Sequence, residues 1–449
     1  MFNYNNFNYS SCSFKNQVNI LGNVNVNFNF TVNNFYAGEK NTEKQDEPVN
    51  EDFTETFYSE EEKTEEPERT EEIPKLLKSN LSWDWAEAEE ENINDIKEKY
   101  LPCKLDTLRL EHIYQYLERY DKAYNAHKCG TYLEFELKYG QTIDKKKLRK
   151  INSCKQRLCT YCSWRKSLRI YTNIRKCFDE ILRRDKGISN NKKSRFIFMT
   201  LTTRNCSLEK LNNEVNLQLK GFDKLRRYKA FKNAFKGFIR ALEVVIDREP
   251  LITPNMYMQD EERKAYYDNL GLGIGDENPN YMMCNVHIHV LLHTTYDIYQ
   301  GNNYITKDKL ISLWKRACNL NYDPRVDIRS FKAKNREEKG KELAEMAKYT
   351  VKPKDYLRAE YVVNRIKRGI FDDDFINDCR SVMYLDGALS GRRLFALGGS
   401  FKEVHQELEL DDEKMIDDLN EDEKSEAITE ILKYYFSFKQ KKYIRIVGK

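Results

Sequence analysis

The feature that most constrains this chain is a short apolar run that carries two histidines, Val286-His287-Ile288-His289-Val290-Leu291-Leu292. A run this rich in β-branched residues is typical of a strand, whose period of two places both imidazoles on one face of a sheet. A single strand histidine is more often a hydrogen-bonded core residue. Two neutral imidazoles side by side are instead good ligands for a divalent metal ion. The run therefore predicts a β-sheet with a metal site on one face.

We expect a third ligand from a neighbouring strand. Glu243 interrupts the apolar run Ala241-Leu242-Glu243-Val244-Val245-Ile246, where an unpaired buried carboxylate would be costly and a cation would remove that cost. His293 falls on the same face as the two histidines and is either a further ligand or a surface residue. Three protein ligands leave positions open for a phosphate oxygen and a water molecule.

A tyrosine segment follows about sixty residues later, Glu345-Met346-Ala347-Lys348-Tyr349-Thr350-Val351-Lys352. If this segment is helical until Pro353, Glu345, Tyr349 and Lys352 lie on one helix face. The phenol has a pKa of about 10 and needs help to act as a nucleophile, which a nearby lysine and a metal-polarised phosphate would supply. Glu345 is placed to activate a water molecule. A solvated set of charged pairs is the alternative.

Four cysteines form a third signal, because Cys154, Cys159 and Cys162 are closely spaced and Cys129 lies upstream. Four thiolates can build a tetrahedral structural zinc site, although this spacing is irregular for the common zinc fingers. Buried free thiols are the alternative. Basic and aromatic residues of the same segment suit DNA phosphates and single-stranded bases, and for the aromatic residues packing beneath the metal loop is the alternative. The predicted DNA-binding residues are Arg157, Arg165, Lys166 and Trp164.

Charge is strongly segregated along the chain. Residues 39–72 carry a net charge of −11 and residues 403–426 carry −10, so the remainder carries +25 although the whole chain is only at +4. A region this basic is suited to binding the phosphate backbone of nucleic acid. A lysine-rich solvated surface would explain some of the charge, but not its confinement between two acidic segments.

The chain divides into four predicted regions. Residues 1–95 form a low-complexity Asn-rich and acidic disordered region, residues 96–185 a helical and cysteine-rich zinc and DNA-binding module, residues 186–405 the catalytic domain, and residues 406–449 an acidic helical tail. The elements expected within them are helices at 108–128, 207–240, 306–320, 335–350 and 423–439 and strands at 195–202, 241–246 and 286–292. This order predicts an α+β fold, with a central antiparallel sheet and helices packed on one face.

No membrane contact is expected. The longest apolar runs are shorter than the roughly 18–20 residues that span a bilayer, and the N-terminus lacks the basic and apolar regions of a secretion signal. We therefore expect a cytoplasmic protein whose eleven cysteines are thiols or metal ligands.

Taken together, the motifs resemble those of a known family. The segments Phe198-Met199-Thr200-Leu201-Thr202, Arg240-Ala241-Leu242-Glu243-Val244, His287-Ile288-His289 and Glu345 to Tyr349 with Lys352 resemble the rolling-circle replication initiators of small Gram-positive plasmids, which belong to the HUH endonuclease superfamily. The segments 154–165 and 388–393 are also similar to segments of that family. The resemblance covers about residues 105–405. It does not cover the tails, and an insertion at 247–280 is longer than usual and has no assigned role.

The resemblance implies an HUH nuclease-like fold and a mechanism. His287, His289 and Glu243 would hold Mg²⁺ or Mn²⁺ against the scissile phosphate, and Tyr349 would attack it to give a 5′-phosphotyrosine and a free 3′-OH. Glu345 would serve hydrolytic termination. The implied partners are single-stranded or hairpin origin DNA, a host helicase and a DNA polymerase. An HUH transposase or relaxase and a non-catalytic zinc-containing DNA-binding regulator are the alternatives.

Overall fold

The computed structural model describes residues 96–138, 145–295, 304–331, 343–344, 346–347, 350–358, 372–411 and 430–446. All of them belong to one compact unit, residues 69–449. Predictions about the Asn-rich and acidic residues 1–95 therefore lie outside the described part of the chain. Among the described helices, none is long and apolar enough to cross a membrane.

The described helices, in chain order, are α1 (Leu101–Tyr116), α2 (Tyr120–Lys128), α3 (Thr160–Arg184), α4 (Leu211–Leu225), α5 (Lys229–Ala234), α6 (Pro254–Tyr257), α7 (Glu261–Asn269), α8 (Lys307–Cys318), α9 (Asp373–Leu389) and α10 (Ser400–Glu407). Short π- or 3₁₀-helical turns lie at Ile96–Tyr100, Asn190–Lys192, Leu208–Lys210 and Pro353–Asp355. The described strands are β1 (Tyr132–Lys138), β2 (Lys145–Ile151), β3 (Ser194–Thr202), β4 (Cys206–Ser207), β5 (Gly237–Ile246), β6 (Met283–Thr295), β7 (Val326–Ser330), β8 (Phe395–Gly399), β9 (Glu430–Ser437) and β10 (Lys442–Ile446).

The larger sheet has six strands in the order β7-β3-β6-β5-β8, with β4 paired to β6, and its pairings are antiparallel. Alternate residues of β6 from Val286 to Leu292 enter one hydrophobic core together with residues of α4, α8 and α9. On the opposite face, Leu291 enters a second core with residues of α3 and α10. The α+β prediction is confirmed. The expectation of helices on one face only is wrong, because α3 and α10 cover part of the second face.

The second sheet has the order β10-β9-β1-β2. It corrects the prediction of a helical C-terminal tail, because residues 430–437 form β9 and pair with β1. Leu432, Tyr434 and Phe436 are buried while Ile431 and Tyr435 are exposed, which is the period-two pattern of a strand. Aromatic and aliphatic residues on both faces of this strand obscure that alternation in the sequence.

Two further helix boundaries differ from expectation. The single helix expected over 108–128 is two helices, α1 and α2. They are separated at Glu118, whose backbone is left-handed with a φ of 57° and cannot continue a right-handed helix. The long helix expected over 207–240 is instead α4, α5 and the start of β5. The strands at 195–202, 241–246 and 286–292 and the helix at 306–320 are confirmed, and most of the helix expected at 335–350 lies outside the described residues.

Candidate active site

The register of β5 and β6 brings Glu243 and the two histidines together. Glu243 lies directly opposite His287, and Ala241 lies opposite His289. The Oε2 atom of Glu243 lies 3.3 Å from Nε2 of His287 and 3.0 Å from Nε2 of His289. Their ligand atoms all lie within 4.8 Å of one another. This is the spacing at which one divalent cation can contact all three side chains.

A chain of amides fixes the imidazole of His287. Oδ1 of Asn280 accepts a hydrogen bond from Asn205 at 3.0 Å, and Oδ1 of Asn205 accepts one from Asn285 at 2.8 Å. Asn285 therefore presents its oxygen to Nδ1 of His287, at 2.9 Å. In this arrangement Nδ1 carries the proton and Nε2 carries the lone pair, the usual state of a metal-bound histidine.

This arrangement tests whether a cation fits the site. With the proton of His287 on Nδ1, its Nε2 and the carboxylate oxygen of Glu243 are both acceptors, so their contact at 3.3 Å is repulsive unless a cation lies between them or the imidazole is protonated. The other ring nitrogen of His289 contacts Oγ1 of Thr200 at 3.3 Å. The residues therefore fit the divalent ion that the sequence motifs imply.

Glu243 is buried but ionised. Burial raises the pKa of its carboxyl, but the contacts with His287 and His289 and the charge of Lys352 outweigh that effect, and the pKa lies well below its usual range. The ammonium of Lys352 lies 3.2 Å from the second oxygen of Glu243, Oε1. A low pKa keeps the carboxylate available as a metal ligand throughout the neutral range.

Lys352 reaches this position from an extended backbone, with φ −76° and ψ 140°. The prediction that it lies on the same helix face as Tyr349 is therefore wrong, and the reason is Pro353, which disfavours helical geometry in the residue before it. Tyr349 and Glu345 lie outside the described residues. The residue after Tyr349 is described: the carbonyl of Thr350 accepts a hydrogen bond at 2.7 Å from the backbone N–H of Val244, which adjoins Glu243.

A cavity of about 690 Å³ opens beside the histidines. Its walls include Thr200 and Asp327 from the sheet, Arg325 before β7, and Lys354 and Asp355 after the tyrosine segment. Asp355 is 3% exposed, and burial raises its pKa to about 6. Nothing in the spacing of the sequence motifs pointed to Asp355 or to Asn285, although Asn285 lies two residues before His287 and so on the same strand face.

His293 is not part of this group. It is buried in the second core, where Nδ1 contacts Oγ of Ser400 at 2.7 Å and the ring stacks on Phe196. Burial lowers its pKa to about 4. The expectation that His293 is a further ligand or a surface residue is therefore wrong, because α10 covers this end of the face.

The four cysteines of the second candidate site also converge. The Sγ atom of Cys129 lies 3.5 Å from that of Cys159 and 3.7 Å from that of Cys162, and Cys154 lies 3.7 Å from Cys162. A disulfide would require about 2.05 Å, whereas the edge of a zinc–thiolate tetrahedron with bonds of 2.3 Å is about 3.8 Å. Cys129 ends α2, and Cys159 and Cys162 lie at the start of α3, so a metal here would join the two helices.

A buried cation accompanies this cluster. Lys104 is fully buried, and its ammonium donates to the carbonyls of His127 at 2.6 Å and Cys129 at 2.9 Å. Burial lowers its pKa to about 8, while the charges of Cys129 and Glu111 raise it. A tetrathiolate around a divalent ion carries two negative charges, so an adjacent buried ammonium suits a metal-loaded cluster.

The predicted DNA-binding residues separate into exposed and buried ones. Arg157 is exposed and donates to the carbonyl of Arg392 at 3.1 Å, and Lys166 is half-buried. Arg165 is only 3% exposed, so its assignment to DNA phosphates is wrong for this conformation. Trp164 is half-buried and packs edge-on against Tyr100. This contact agrees with the alternative expectation that the aromatic residues of this segment have a packing role.

Comparison with known proteins identifies the family of this chain. A family model described as "Replication protein" matches residues 145–444. The "Protein rep" of Bacillus amyloliquefaciens is 33% identical over 332 residues, which cover 70% of this chain and 82% of the relative. The "Protein rep" of Lactiplantibacillus plantarum is 28% identical over 316 residues, which cover 69% and 81%. No solved structure matches significantly. The chain belongs to the replication protein family, the rolling-circle replication initiators whose motifs its sequence resembles.

Proposed function

We propose that this initiator is a metal-dependent HUH single-strand DNA endonuclease and strand transferase that nicks its origin and later rejoins the strand. The convergence of Glu243, His287 and His289 on one point carries the proposal. A divalent ion, Mg²⁺ or Mn²⁺, held by these three side chains would polarise the scissile phosphate and offset charge that develops on its oxygens. The cavity beside the histidines gives the DNA strand a place to enter.

Tyr349 is the proposed nucleophile. Its phenolic oxygen bonds to phosphorus as the bond from phosphorus to the 3′-oxygen breaks, which leaves a 5′-phosphotyrosine and, after protonation, a free 3′-OH that primes synthesis. The hydrogen bond from Val244 to Thr350 supports this assignment, because it tethers the neighbour of Tyr349 to the strand that carries Glu243. Lys352, beside Glu243, contributes positive charge where the phosphate must lie.

Glu345 is proposed to act at termination. A carboxylate four residues before the tyrosine can remove a proton from a water molecule that attacks phosphorus, and the bond from phosphorus to the tyrosine oxygen breaks. Such hydrolysis releases the DNA without a second tyrosine. A host helicase, which would unwind the duplex, and a DNA polymerase, which would extend the exposed 3′-OH, are the proposed partners.

The cysteine cluster is proposed to hold a structural Zn²⁺. The three sulfur–sulfur distances of 3.5 to 3.7 Å support this proposal, and so does the buried ammonium of Lys104. The ion would fix the start of α3, from which Arg157 and Lys166 are proposed to contact DNA. This module then supplies affinity for the origin, while the larger sheet supplies the chemistry.

A covalent-adduct assay tests the proposal. The full chain is incubated with Mn²⁺ and single-stranded DNA carrying the plasmid's own origin, and protein–DNA adducts are resolved by denaturing electrophoresis. We expect an adduct with the wild type and none with Tyr349→Phe, whereas Glu345→Ala should form the adduct but fail to release it by hydrolysis. Tyr435→Phe, at a side chain that is 52% exposed on the other sheet, is the matched control. Binding without an adduct would instead identify a non-catalytic regulator.

A further inference from the structure

The connection between β5 and β6 is far longer than the sheet requires. The two strands are antiparallel neighbours paired as far as Ile246 and Cys284, and two to five residues normally suffice for such a hairpin. Here residues 247–282 lie between them and include α6 and α7. The connection is an ordered structure with its own buried side chains, since Ile252 and Tyr267 are each 1% exposed. We call residues 247–282 the β5–β6 insertion.

Residues at both ends of the insertion form bonds to the elements around the proposed site. Arg248 and Asp378 form a buried ion pair at 2.7 Å, and Glu249 pairs with Arg358 at 2.7 Å, at the end of the segment that follows Tyr349. Asn280, near the other end of the insertion, accepts the hydrogen bond that begins the amide chain to His287. Paired buried charges hold a rigid geometry, because separating them exposes each to a large penalty.

Between these ends the insertion extends across the cavity. Met256, Gln259 and Arg263 line the same cavity as His287 and His289. Beyond them, Glu262 of α7 lies 3.4 Å from Arg325, which precedes β7 at the opposite edge of the sheet. This pair is exposed and contributes little energy, but it shows that α7 reaches from the β5–β6 side of the sheet to the β7 side.

The chemistry of this wall fits a nucleobase better than a phosphate. A phosphate is bound by cations, such as Lys354 in the wall of the cavity and Lys352 beside Glu243. Met256 offers a polarizable apolar surface for the face of a ring. Arg263 donates to the amide oxygen of Gln259 at 2.9 Å, which fixes the two side chains relative to each other. The pair still offers the amide nitrogen of Gln259, the second lone pair of its oxygen and the remaining guanidinium donors, the groups that read the edges of adenine and guanine. The cavity falls within the roughly 300–1,000 Å³ range of sites that take a drug-sized ligand, so a base fits beside the phosphate.

We propose that the β5–β6 insertion is a specificity element of the nicking site, whose side chains Met256, Gln259 and Arg263 read the bases that flank the scissile phosphate in single-stranded DNA. This proposal rests on the proposed nicking activity. It assigns origin discrimination near the nick to the insertion, separately from affinity contributed by the cysteine-rich module.

A randomised-substrate experiment tests the assignment. The full chain is incubated with Mn²⁺ and a single-stranded DNA library randomised on both sides of the origin nick, and the DNA joined covalently to protein is sequenced. Gln259→Ala, Arg263→Ala and the double variant are compared with wild type. Both side chains are exposed, so these variants should fold normally. Lys264→Ala, an exposed cation next to Arg263 that does not line the cavity, is the matched control.

We expect the variants to lose about 5- to 100-fold of base preference at one or two positions next to the nick, which is the discrimination of one bidentate contact, and the control to keep the wild-type preference. Unchanged preference in the double variant, with adduct still formed, would overturn the specificity role and leave the nicking proposal intact. Equal loss of adduct on every sequence would show a general phosphate contact instead. A wild type that forms no adduct on any sequence would overturn the nicking proposal and this inference together.

Discussion

Replacing Asn285 with alanine should weaken the binding of Mn²⁺ about 10- to 100-fold, although Asn285 is not a proposed ligand. Its amide oxygen lies 2.9 Å from Nδ1 of His287, and this contact fixes the ring orientation and leaves Nε2 unprotonated. Loss of such a partner behind a metal-binding histidine typically costs 10- to 100-fold in metal affinity, or about 1.4–2.7 kcal/mol. Asn285→Asp keeps an acceptor for Nδ1 and should bind Mn²⁺ about as tightly as the wild type.

The assay is calorimetric titration of the full chain with Mn²⁺, after the cysteine cluster has been saturated with Zn²⁺. Asn205→Ala removes a contact one step further along the amide chain, so its loss of affinity should be smaller than that of Asn285→Ala. His287→Ala should abolish binding at this site. If Asn285→Ala bound Mn²⁺ as tightly as the wild type while His287→Ala did not, the amide would have no positioning role. If both variants bound normally, the ion would lie elsewhere.

Three other results should follow from the structure. Cys159→Ser should lower zinc content, measured by atomic absorption, by about one ion per chain, whereas Cys177→Ser, at a buried thiol outside the cluster, should not. Arg248→Met should lower the free energy of unfolding by about 3–5 kcal/mol in urea titrations, because it leaves Asp378 buried without its partner; the double variant with Asp378→Leu should be less destabilised. His293 has a folded pKa of about 4, below its ordinary 6.5, so the unfolded chain takes up a proton first and stability should fall by up to about 3 kcal/mol as the pH drops from about 6.5 to about 4. His293→Gln should lack that loss, and an identical pH dependence in both proteins would contradict it.

The residues of the candidate metal site were predictable because strand periodicity is local. The alternation in β6 assigns His287 and His289 to one face without knowledge of any partner strand. Glu243 could be predicted because a carboxylate in an apolar strand requires compensation, and the register of β5 and β6 places it opposite His287. The four cysteines were likewise grouped by their chemistry, and the structure brings their sulfur atoms together.

What the sequence did not predict depends on contacts between distant parts of the chain. Glu430–Ser437 pairs with β10 in a hairpin and with β1, some three hundred residues earlier, which covers its other edge. His293 has the same strand phase as His287, but α10 covers its end of the sheet and makes it a core residue. Arg165 sits in a basic segment, yet the helix turns it inward. No local pattern carries these facts, because each is decided by which element packs against which face.

The proposed mechanism requires that Tyr349 becomes covalently joined to DNA. The most direct measurement is mass spectrometry of the trapped adduct, after nuclease trimming of the DNA and proteolysis of the full chain. We expect a nucleotide linked through a 5′-phosphate to the peptide that contains Tyr349, with an equal yield of free 3′-OH ends. A nucleotide linked to any other residue, or cleaved DNA with no covalent product, would contradict it.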